Sequence, residues 1–308
     1  MSINANSFIA PTLNPEHLPL PDAIEVIDQE QIFAERMAEF QRRADQVGFP
    51  YDVGGLEFDP IVIDQQAHAH REALMRARVN SAIRSVLPAY AQGSDLDAIV
   101  ARANVERLVV DPGDPVNGIP PVMESDNNLL VRYLTSFAAP AAGSEDGYIY
   151  HALSAYPVAR DIAVYGPGTH KKPGRASIYL LGEASAPVTP EIVQIVRERV
   201  TRSNVKPLTD EVIVSEATVS PYEVELNILV PRGPAPTLIA QAAEDAVWRA
   251  AEKRFAIGAY VYANALEGAA YVANVLRVTR VSPTEDVFVG AGEAALCTAV
   301  KINVEVQS

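Results

Sequence analysis

The spacing of apolar residues along this chain changes from a helical to a strand period at about residue 160, and this change constrains the fold more than any other feature. Before that point, apolar residues recur at alternating intervals of three and four, which is typical of helices with one apolar face. Beyond it, short β-branched and apolar runs are separated by turn-forming Gly and Pro, which is typical of strands. The pattern predicts an α+β protein of several domains: a helical N-terminal region followed by two α/β sandwich-like domains.

Breaks rich in Pro and Gly divide the chain into five predicted segments. Four prolines within the first 21 residues exclude a helix there, because each ring removes a backbone donor and favours extended geometry before it. Such an arm would either fray or lie along a neighbouring subunit. The predicted segments are an extended arm at 1–21, a helical domain at 22–108, a linker with short helices at 109–158, a β-β-α-β sandwich domain at 159–219 and a second α+β domain at 220–308.

The same patterns predict individual elements. Thr189 followed by Pro190 and Glu191 is a typical helix start, since Pro suits the first helical position and an acidic residue suits the first turn. The predicted helices are 22–47, 61–91, 94–104, 125–137, 144–156, 190–202, 237–254 and 262–267. The predicted strands are 161–165, 176–181, 211–219, 222–230, 272–281 and 296–306.

The first predicted helix carries an apolar seam. Phe33, Met37 and Phe40 are followed by Ala44 and Val47, so that the spacing alternates between four and three. This 3.5-residue period is typical of helices packed side by side. The seam is short, and it fits either packing within its own domain or docking into a bundle with another chain.

The second predicted helix carries a longer apolar stripe that includes Val79, Ile83, Val86 and Leu87. We expect these four residues, together with the seam of the first helix, to contribute to protein interfaces. Pro88 lies within the pattern and predicts a kink, because its ring opposes the carbonyl group one turn earlier. Gly93 then suits a helix C-cap.

The charge balance limits the partners that the chain can bind. Lys and Arg total 25 against 39 Asp and Glu, a formal net charge of −14 at pH 7. A surface of that sign repels phosphate backbones and anionic lipid headgroups, so we expect neither nucleic acid nor membrane as a partner. With one cysteine, no secretory signal and no stretch approaching the ~20 apolar residues of a membrane helix, we expect a protein made in a cytoplasm and soluble there.

Residues that could perform chemistry are not arranged as a catalytic or metal site. His68 and His70 fall two apart on a predicted helix and therefore point in different directions, whereas a helical chelating pair needs a spacing of four. The loop at 166–175 is glycine-rich and basic, but a strand follows it where a phosphate loop requires a helix. Cys297 lies in an alternating strand, where a buried unreactive thiol is expected. We expect no catalytic residue, no metal and no cofactor.

Several segments, taken in order, resemble the baseplate J-like family of contractile phage tails. The resemblance covers about residues 20 to 306, and it depends on the order of the segments since each motif is short. The segments are Arg71 and Asn80 with 90–97 (YAQGSDLD), Glu124-Ser125-Asp126 with Arg132-Tyr133, 147–155 (GYIYHALSA) with Arg160-Asp161-Ile162, 207–210 (PLTD), and Cys297-Thr298. Pro88 departs from the pattern, which places a good helix former at that position.

This resemblance implies a structural protein of the virion. Two copies would join a smaller wedge protein in a heterotrimer, six such wedges would surround a central hub and spike, and the ring would contact the sheath-initiator protein and open as the tail contracts. Assembly would take place in the host cytoplasm. The alternatives are a soluble α/β hydrolase-like enzyme, which requires a pocket with convergent titratable groups, and a receptor-binding tail protein, which favours exposed aromatic residues.

Overall fold

A computed structural model of the protein describes residues 21–51, 58–233 and 236–307. The predicted N-terminal arm, 1–21, lies outside the described residues except for Pro21. The chain forms two compact units, one within Pro11–Arg102 and the other within Ala103–Ser308. The division falls shortly before the boundary between 108 and 109 that the sequence suggests.

The first unit is helical. Its elements are α1 (Gln29–Gln46), α2 (Pro60–Ser85) and α3 (Gly93–Val100), and a 3-10 turn follows at Ala101–Ala103. The Asp28 carboxylate accepts hydrogen bonds from two backbone N–H groups at the start of α1, and Asp59 caps α2 in the same way ahead of Pro60. These caps satisfy donors that the first turn of a helix leaves free.

Three predicted boundaries in this unit are wrong. The first helix begins at Gln29 rather than residue 22. The long helix ends at Ser85 rather than continuing through a kink to residue 91, because the residue before Pro88 avoids helical geometry. Gly93 does not cap α2 but begins α3, with a φ of +54° that glycine adopts without a side-chain clash.

The second unit contains the strands. In chain order its elements are β1 (Val109–Asp111), β2 (Val122–Met123), α4 (Asp126–Ser136), α5 (Glu145–Ala155), β3 (Asp161–Tyr165), α6 (Pro167–His170), β4 (Arg175–Leu181), α7 (Pro190–Val200), β5 (Glu211–Glu216), β6 (Thr218–Val230), α8 (Pro236–Glu252), α9 (Ala263–Ala269), β7 (Arg277–Ser282) and β8 (Glu293–Val306). The predicted loop at 109–123 contains the short antiparallel pair β1–β2. The predicted hairpin loop after β3 contains the single-turn helix α6.

The first sheet has the strand order β3-β4-β5. β3 and β4 are antiparallel, whereas β4 and β5 are parallel. Helix α7 supplies the crossover that parallel neighbours require. It packs against β5 and against α5, which covers β3. The core of this sheet includes the fully buried side chains of Ile178, Leu180 and Val196.

The second sheet has the strand order β7-β6-β8. β6 is antiparallel to β7 and parallel to β8, and the latter pairing extends to Val230 opposite Val306. Helix α8 packs against both β8 and β6, and Leu226, Ile228 and Val247 are fully buried between them. The α+β class, with a helical N-terminal region ahead of strand-bearing parts, is thereby confirmed.

A buried ion pair fixes the start of α4. Glu124 and Arg132 are 2% and 4% exposed, and their Oε2 and Nη1 atoms lie 2.5 Å apart. Glu124 also accepts a hydrogen bond from the Leu108 backbone N–H at 3.1 Å, and Arg132 donates to the Glu106 carbonyl at 3.2 Å. Burial raises the pKa of Glu124, while the Arg132 guanidinium opposes that shift. The pair therefore ties α4 to the segment that enters this unit.

A second polar cluster ties the beginning of β3 to the loop after α8. The Asp161 Oδ2 atom accepts a hydrogen bond from the backbone N–H of Ile257 at 2.8 Å. Arg160 donates to the carbonyl groups of Phe255 and Glu252, and its guanidinium lies 5.3 Å from the centroid of the Phe255 ring. These contacts join residues more than ninety positions apart in sequence and connect the first sheet to the second.

His151 on α5 makes the stability of this fold depend on pH. Desolvation and the positive charges of Arg199 and Arg202 lower the pKa of His151 below its ordinary value of 6.5. The neutral ring is therefore favoured in the folded state. Above about pH 6.5 the ring is neutral in both states, and the folded state keeps its full stability. That stability falls as the pH drops from about 6.5 toward the lower folded pKa, because the unfolded state then binds the proton more tightly. We expect the free energy of unfolding to fall between pH 7 and pH 5, and His151→Gln to flatten that slope in urea titrations. An unchanged slope in the variant would assign the effect to other groups.

Candidate assembly surface

Helices α1 and α2 pack against each other in antiparallel directions. Asn80, near the end of α2, is buried and holds the backbone of Glu25, ahead of α1, through both its amide N–H and its carbonyl group. Arg36, further along α1, pairs with Glu72 on α2 at 3.1 Å. A single face of α2, which carries Val62, Ala69 and Asn80, is buried.

The predicted seam of α1 is half-covered within this hairpin. Phe33, Met37 and Phe40 are each of intermediate exposure, and Ala44 is buried. The Phe40 ring meets the Tyr51 ring edge-on, with centroids 5.0 Å apart. Part of the surface of Phe33, Met37 and Phe40 therefore remains available for another polypeptide.

The predicted residues of α2 are more open. Val79 and Val86 are 57% and 65% exposed, whereas Ile83 and Leu87 are half-buried. Two further residues extend the exposed set: Met75, which is 70% exposed, and Ala82. We call Met75, Val79, Ala82 and Val86 the α2 stripe; their spacing of four, three and four places them along one side of the helix.

Sequence reasoning missed Met75. The signal was present, because Met75 precedes Val79 by four residues, but apolar residues also occupy other sides of α2, including Ile63 and Leu74, which are more than half exposed. A helix that is apolar on several sides is normally buried on several sides. A two-helix hairpin covers one of them, so the rest of α2 is suited to contact with other chains.

Burial of the α2 stripe would be favourable, because its side chains are largely exposed to water. Fully burying a Val or Met side chain contributes about 1.5–3 kcal/mol relative to exposure. At 100° per residue, the exposed Arg71 and Arg78 lie along one border of the stripe. In a protein of net charge −14, a basic border beside an apolar stripe favours a helix that carries acidic residues next to its own apolar seam.

A cavity of about 450 Å³ lies in the second unit, between the end of β4 and the beginning of β6. Its apolar lining includes Leu180, Leu181, Phe255 and Leu296, and its ionisable lining residues are Glu183 and Glu216. Neither a histidine, a cysteine nor a lysine lines it. Besides the two carboxylates, Thr218 contributes a hydroxyl group to the lining.

Two further observations concern metal ligands and the single cysteine. Over residues 21–51, 58–233 and 236–307, no three His, Cys, Asp or Glu side chains are grouped so as to hold a metal ion. Cys297 is buried opposite Tyr222 on β6. Desolvation raises the pKa of the Cys297 thiol, which disfavours the reactive thiolate.

Comparison with known proteins gives two matches. The family described as "Baseplate J-like N-terminal domain" matches residues 57–114, a span that contains α2 and its stripe. Baseplate protein J of Escherichia phage P2 is 32% identical over 299 residues, which cover 95% of this chain and 97% of that protein. The chain belongs to the baseplate J-like family. The predicted resemblance is confirmed, and membership supports a structural role in the tail baseplate of a phage virion rather than an enzymatic one.

The segments that carried the resemblance occupy structural positions in this baseplate J-like protein. Glu124 and Arg132 form the buried ion pair, residues 147–155 lie in α5, and Arg160 and Asp161 join the two sheets. These residues therefore help to hold the scaffold together. Among the described helices, none combines the length and the apolar character needed to cross a membrane.

Proposed function

We propose that this baseplate J-like protein is a wedge component of a contractile tail, required to assemble the baseplate and to couple it to sheath contraction. Its partners are a second copy of the chain and a smaller wedge protein in a heterotrimer, the sheath-initiator protein, and the central hub and spike. The wedges assemble in the host cytoplasm and remain in the virion. The source is an infectious phage or a related injection machine.

The observation that carries this proposal is the exposed α2 stripe. A two-helix hairpin that leaves Met75, Val79 and Val86 more than half exposed presents a continuous apolar side, and water is removed from it when further helices join a bundle. The match of the family to residues 57–114 covers the same helix.

The seam of α1 supplies a second contact in this proposal. Phe33, Met37 and Phe40 retain part of their surface, so a bundling helix can also pack on them. Ile83 and Leu87 contribute in the same way at the end of α2. Because Phe40 also packs on Tyr51, substitutions in the α1 seam affect folding as well as binding, and the α2 stripe gives the cleaner test.

The proposal is tested by placing two carboxylates in the α2 stripe. We expect the double variant Val79→Asp, Val86→Asp to lower affinity for the smaller wedge protein by at least ~100-fold, because each carboxylate would be buried without a partner at a penalty of about 2 kcal/mol or more. Co-expression with the tagged partner, followed by co-purification, measures the loss.

A matched control carries the same charge elsewhere on the same helix. Gln66→Asp with Ala77→Asp adds two carboxylates at exposed positions about half a turn away from the α2 stripe. This control is expected to co-purify normally, and both double variants are expected to keep the circular dichroism spectrum of the parent. Equal recovery of the partner with both double variants would show that the α2 stripe is not the wedge interface.

A further inference from the structure

The free edge of β8 is the most informative surface outside the helical unit. β8 is the outer strand of the order β7-β6-β8. An isolated bridge to Ile257 covers its outer edge at Ala294, and beyond that point this edge has no neighbouring strand within the described residues. β8 is also long, running from Glu293 to Val306. A long free edge presents a row of backbone N–H and C=O groups that can pair with another strand.

The register with β6 determines which residues face that free edge. The N–H group of Gln307 donates to the carbonyl of Val230, whose partner in the register is Val306. Backbone groups of successive residues alternate between the two sides of a strand. The odd-numbered residues of this segment therefore bond toward β6, and the backbone groups of Val300, Ile302, Val304 and Val306 point to the free edge.

The side chains of the same segment alternate between the two faces of the sheet. Val300, Ile302 and Val304 pack against the hydrophobic core of this sheet on the side of α8. Lys301, Asn303 and Glu305 occupy the opposite, open face. There Lys301 pairs with Glu225 of β6 at 2.7 Å, and Asn303 donates to Glu225 and Asn227, at 2.9 Å in each case.

We propose that β8 pairs in antiparallel orientation with β8 of a second copy of this chain, across a two-fold axis at Asn303. This register places Ile302 opposite Val304 of the second copy and Val300 opposite Val306, so that residues with outward-pointing backbone groups face each other and form about eight hydrogen bonds. It also places Lys301 opposite Glu305 of the second copy, and the reverse pair follows by symmetry.

Charge selects this register from its neighbours. Pairing needs outward-facing backbone groups on both strands, so the allowed registers differ by steps of two residues. The nearest allowed registers have the axis at Ile302 or Val304, and they place Lys301 opposite Asn303 or Gln307, so that both Lys301–Glu305 pairs are lost. The next registers have the axis at Lys301 or Glu305 and place two lysines or two glutamates opposite each other; like charges directly opposite are destabilising. With the axis at Asn303, each Lys301 lies between Glu225 of its own chain and Glu305 of the second copy.

The result is a six-stranded sheet of order β7-β6-β8-β8-β6-β7 made from two copies. The apolar side chains of both β8 strands continue one core face, and the two α8 helices lie on that same face. The inference deepens the proposed function: it rests on that function for the gathering of several copies in a ring, and it supplies a contact between copies that does not involve the α2 stripe. A seven-residue strand pair is a small interface, so a Kd on the order of micromolar to tens of micromolar is expected.

Charge exchange tests the pairing. Lys301→Glu gives two Glu–Glu contacts in its homodimer, and Glu305→Lys gives two Lys–Lys contacts in its own. We expect each variant to self-associate at least ~10-fold more weakly than the parent, whereas an equimolar mixture of the two regains the parent affinity because both cross-pairs are again opposite in sign. Sedimentation equilibrium of the full chain between about 5 and 200 µM measures all three.

The controls carry the same charge changes at exposed sites away from β8. Lys172→Glu and Glu285→Lys are expected to associate like the parent, alone and mixed. A parent that stays monomeric throughout the concentration range, or a mixture of the β8 variants no tighter than either alone, would overturn the β8 pairing. Association that survives both β8 variants but is lost in Val79→Asp, Val86→Asp would do the same, since the copies would then meet through their helices.

Co-purification of the smaller wedge protein separates this inference from the proposed function. If the β8 variants keep that partner but do not self-associate, both statements hold. If they keep the partner and self-associate like the parent, the proposed function stands and the β8 pairing fails. If the double variant Val79→Asp, Val86→Asp binds the smaller wedge protein as the parent does, the proposed function fails, and the β8 result is unaffected.

Discussion

Replacing Arg132 with Met is expected to lower the free energy of unfolding by about 3–5 kcal/mol, because it leaves a buried carboxylate without its counter-charge. The side chains of Glu124 and Arg132 are 0% and 5% exposed. Arg132 also donates to the Glu106 carbonyl, so that acceptor loses its partner too. Urea denaturation followed by circular dichroism at pH 7 measures the change.

The pH dependence of this variant identifies the cause. Burial already raises the pKa of Glu124 against the opposing charge of Arg132, and removal of Arg132 raises it further. A carboxyl group whose folded pKa lies above its unfolded value destabilises the fold as the pH rises through that interval. The deficit of Arg132→Met relative to the parent should therefore shrink as the pH is lowered toward about 4, below the ordinary pKa of a glutamate.

Two companion variants separate burial from simple charge loss. Arg175→Met removes an arginine whose partner, Glu211, is 61% exposed, and it should cost less than about 1 kcal/mol. Adding Glu124→Gln to Arg132→Met removes the stranded charge and should recover part of the loss. A deficit in Arg132→Met as small as that in Arg175→Met would mean that the Glu124 carboxylate is effectively solvated.

Replacing Asp161 with Ala is expected to lower the free energy of unfolding by about 2–3 kcal/mol. The substitution removes the acceptor for the backbone N–H of Ile257, a residue with no exposed surface, and an unsatisfied buried donor carries its full desolvation penalty. Hydrogen exchange at the amide of Ile257 should become faster, and the free energy of opening that it measures should fall by a similar amount, since the loop after α8 loses its hydrogen bond to β3.

Asp161→Asn is the matched control, because the amide keeps one acceptor oxygen in the same place. It should retain more than half of the stability and most of the protection at Ile257. Arg160→Met tests the other half of the cluster; its partners Glu183 and Glu252 are about half exposed, so a smaller loss of about 1 kcal/mol is expected. Equal losses in Asp161→Ala and Asp161→Asn would show that the charge, and not the hydrogen bond, holds the loop.

Most helices and strands follow from short-range pattern. β3 occupies 161–165 as predicted, and α7 begins at Pro190 as its start signal indicates. β-branched runs and helix start signals act over a few residues, so one sequence is enough to locate them. The errors in α1 and α2 fall at helix ends, where the preceding chain and a following proline decide the last turn.

The pairing of distant segments could not be predicted in the same way. Glu124 and Arg132 lie in segments that resemble the family, but the sequence does not indicate that they are buried together against Glu106 and Leu108. Arg160 and Asp161 likewise belong to a short motif, while their partners lie more than ninety residues away. Such contacts depend on how the sheets come together.

Part of the candidate assembly surface can be predicted from the sequence, and the rest is known only from the folded structure. The spacing of residues predicts apolar side chains at Val79, Ile83, Val86 and Leu87 and the alternation of apolar and polar residues along β8, because periodicity depends only on the geometry of one element. The sides that are covered are known only from the folded structure: α1 buries one side of α2 and leaves Met75, Val79 and Val86 open, and β6 pairs with one edge of β8 and leaves the other free beyond Ala294. Which sides are covered depends on contacts between residues far apart in the chain, and the local spacing of residues does not indicate those contacts.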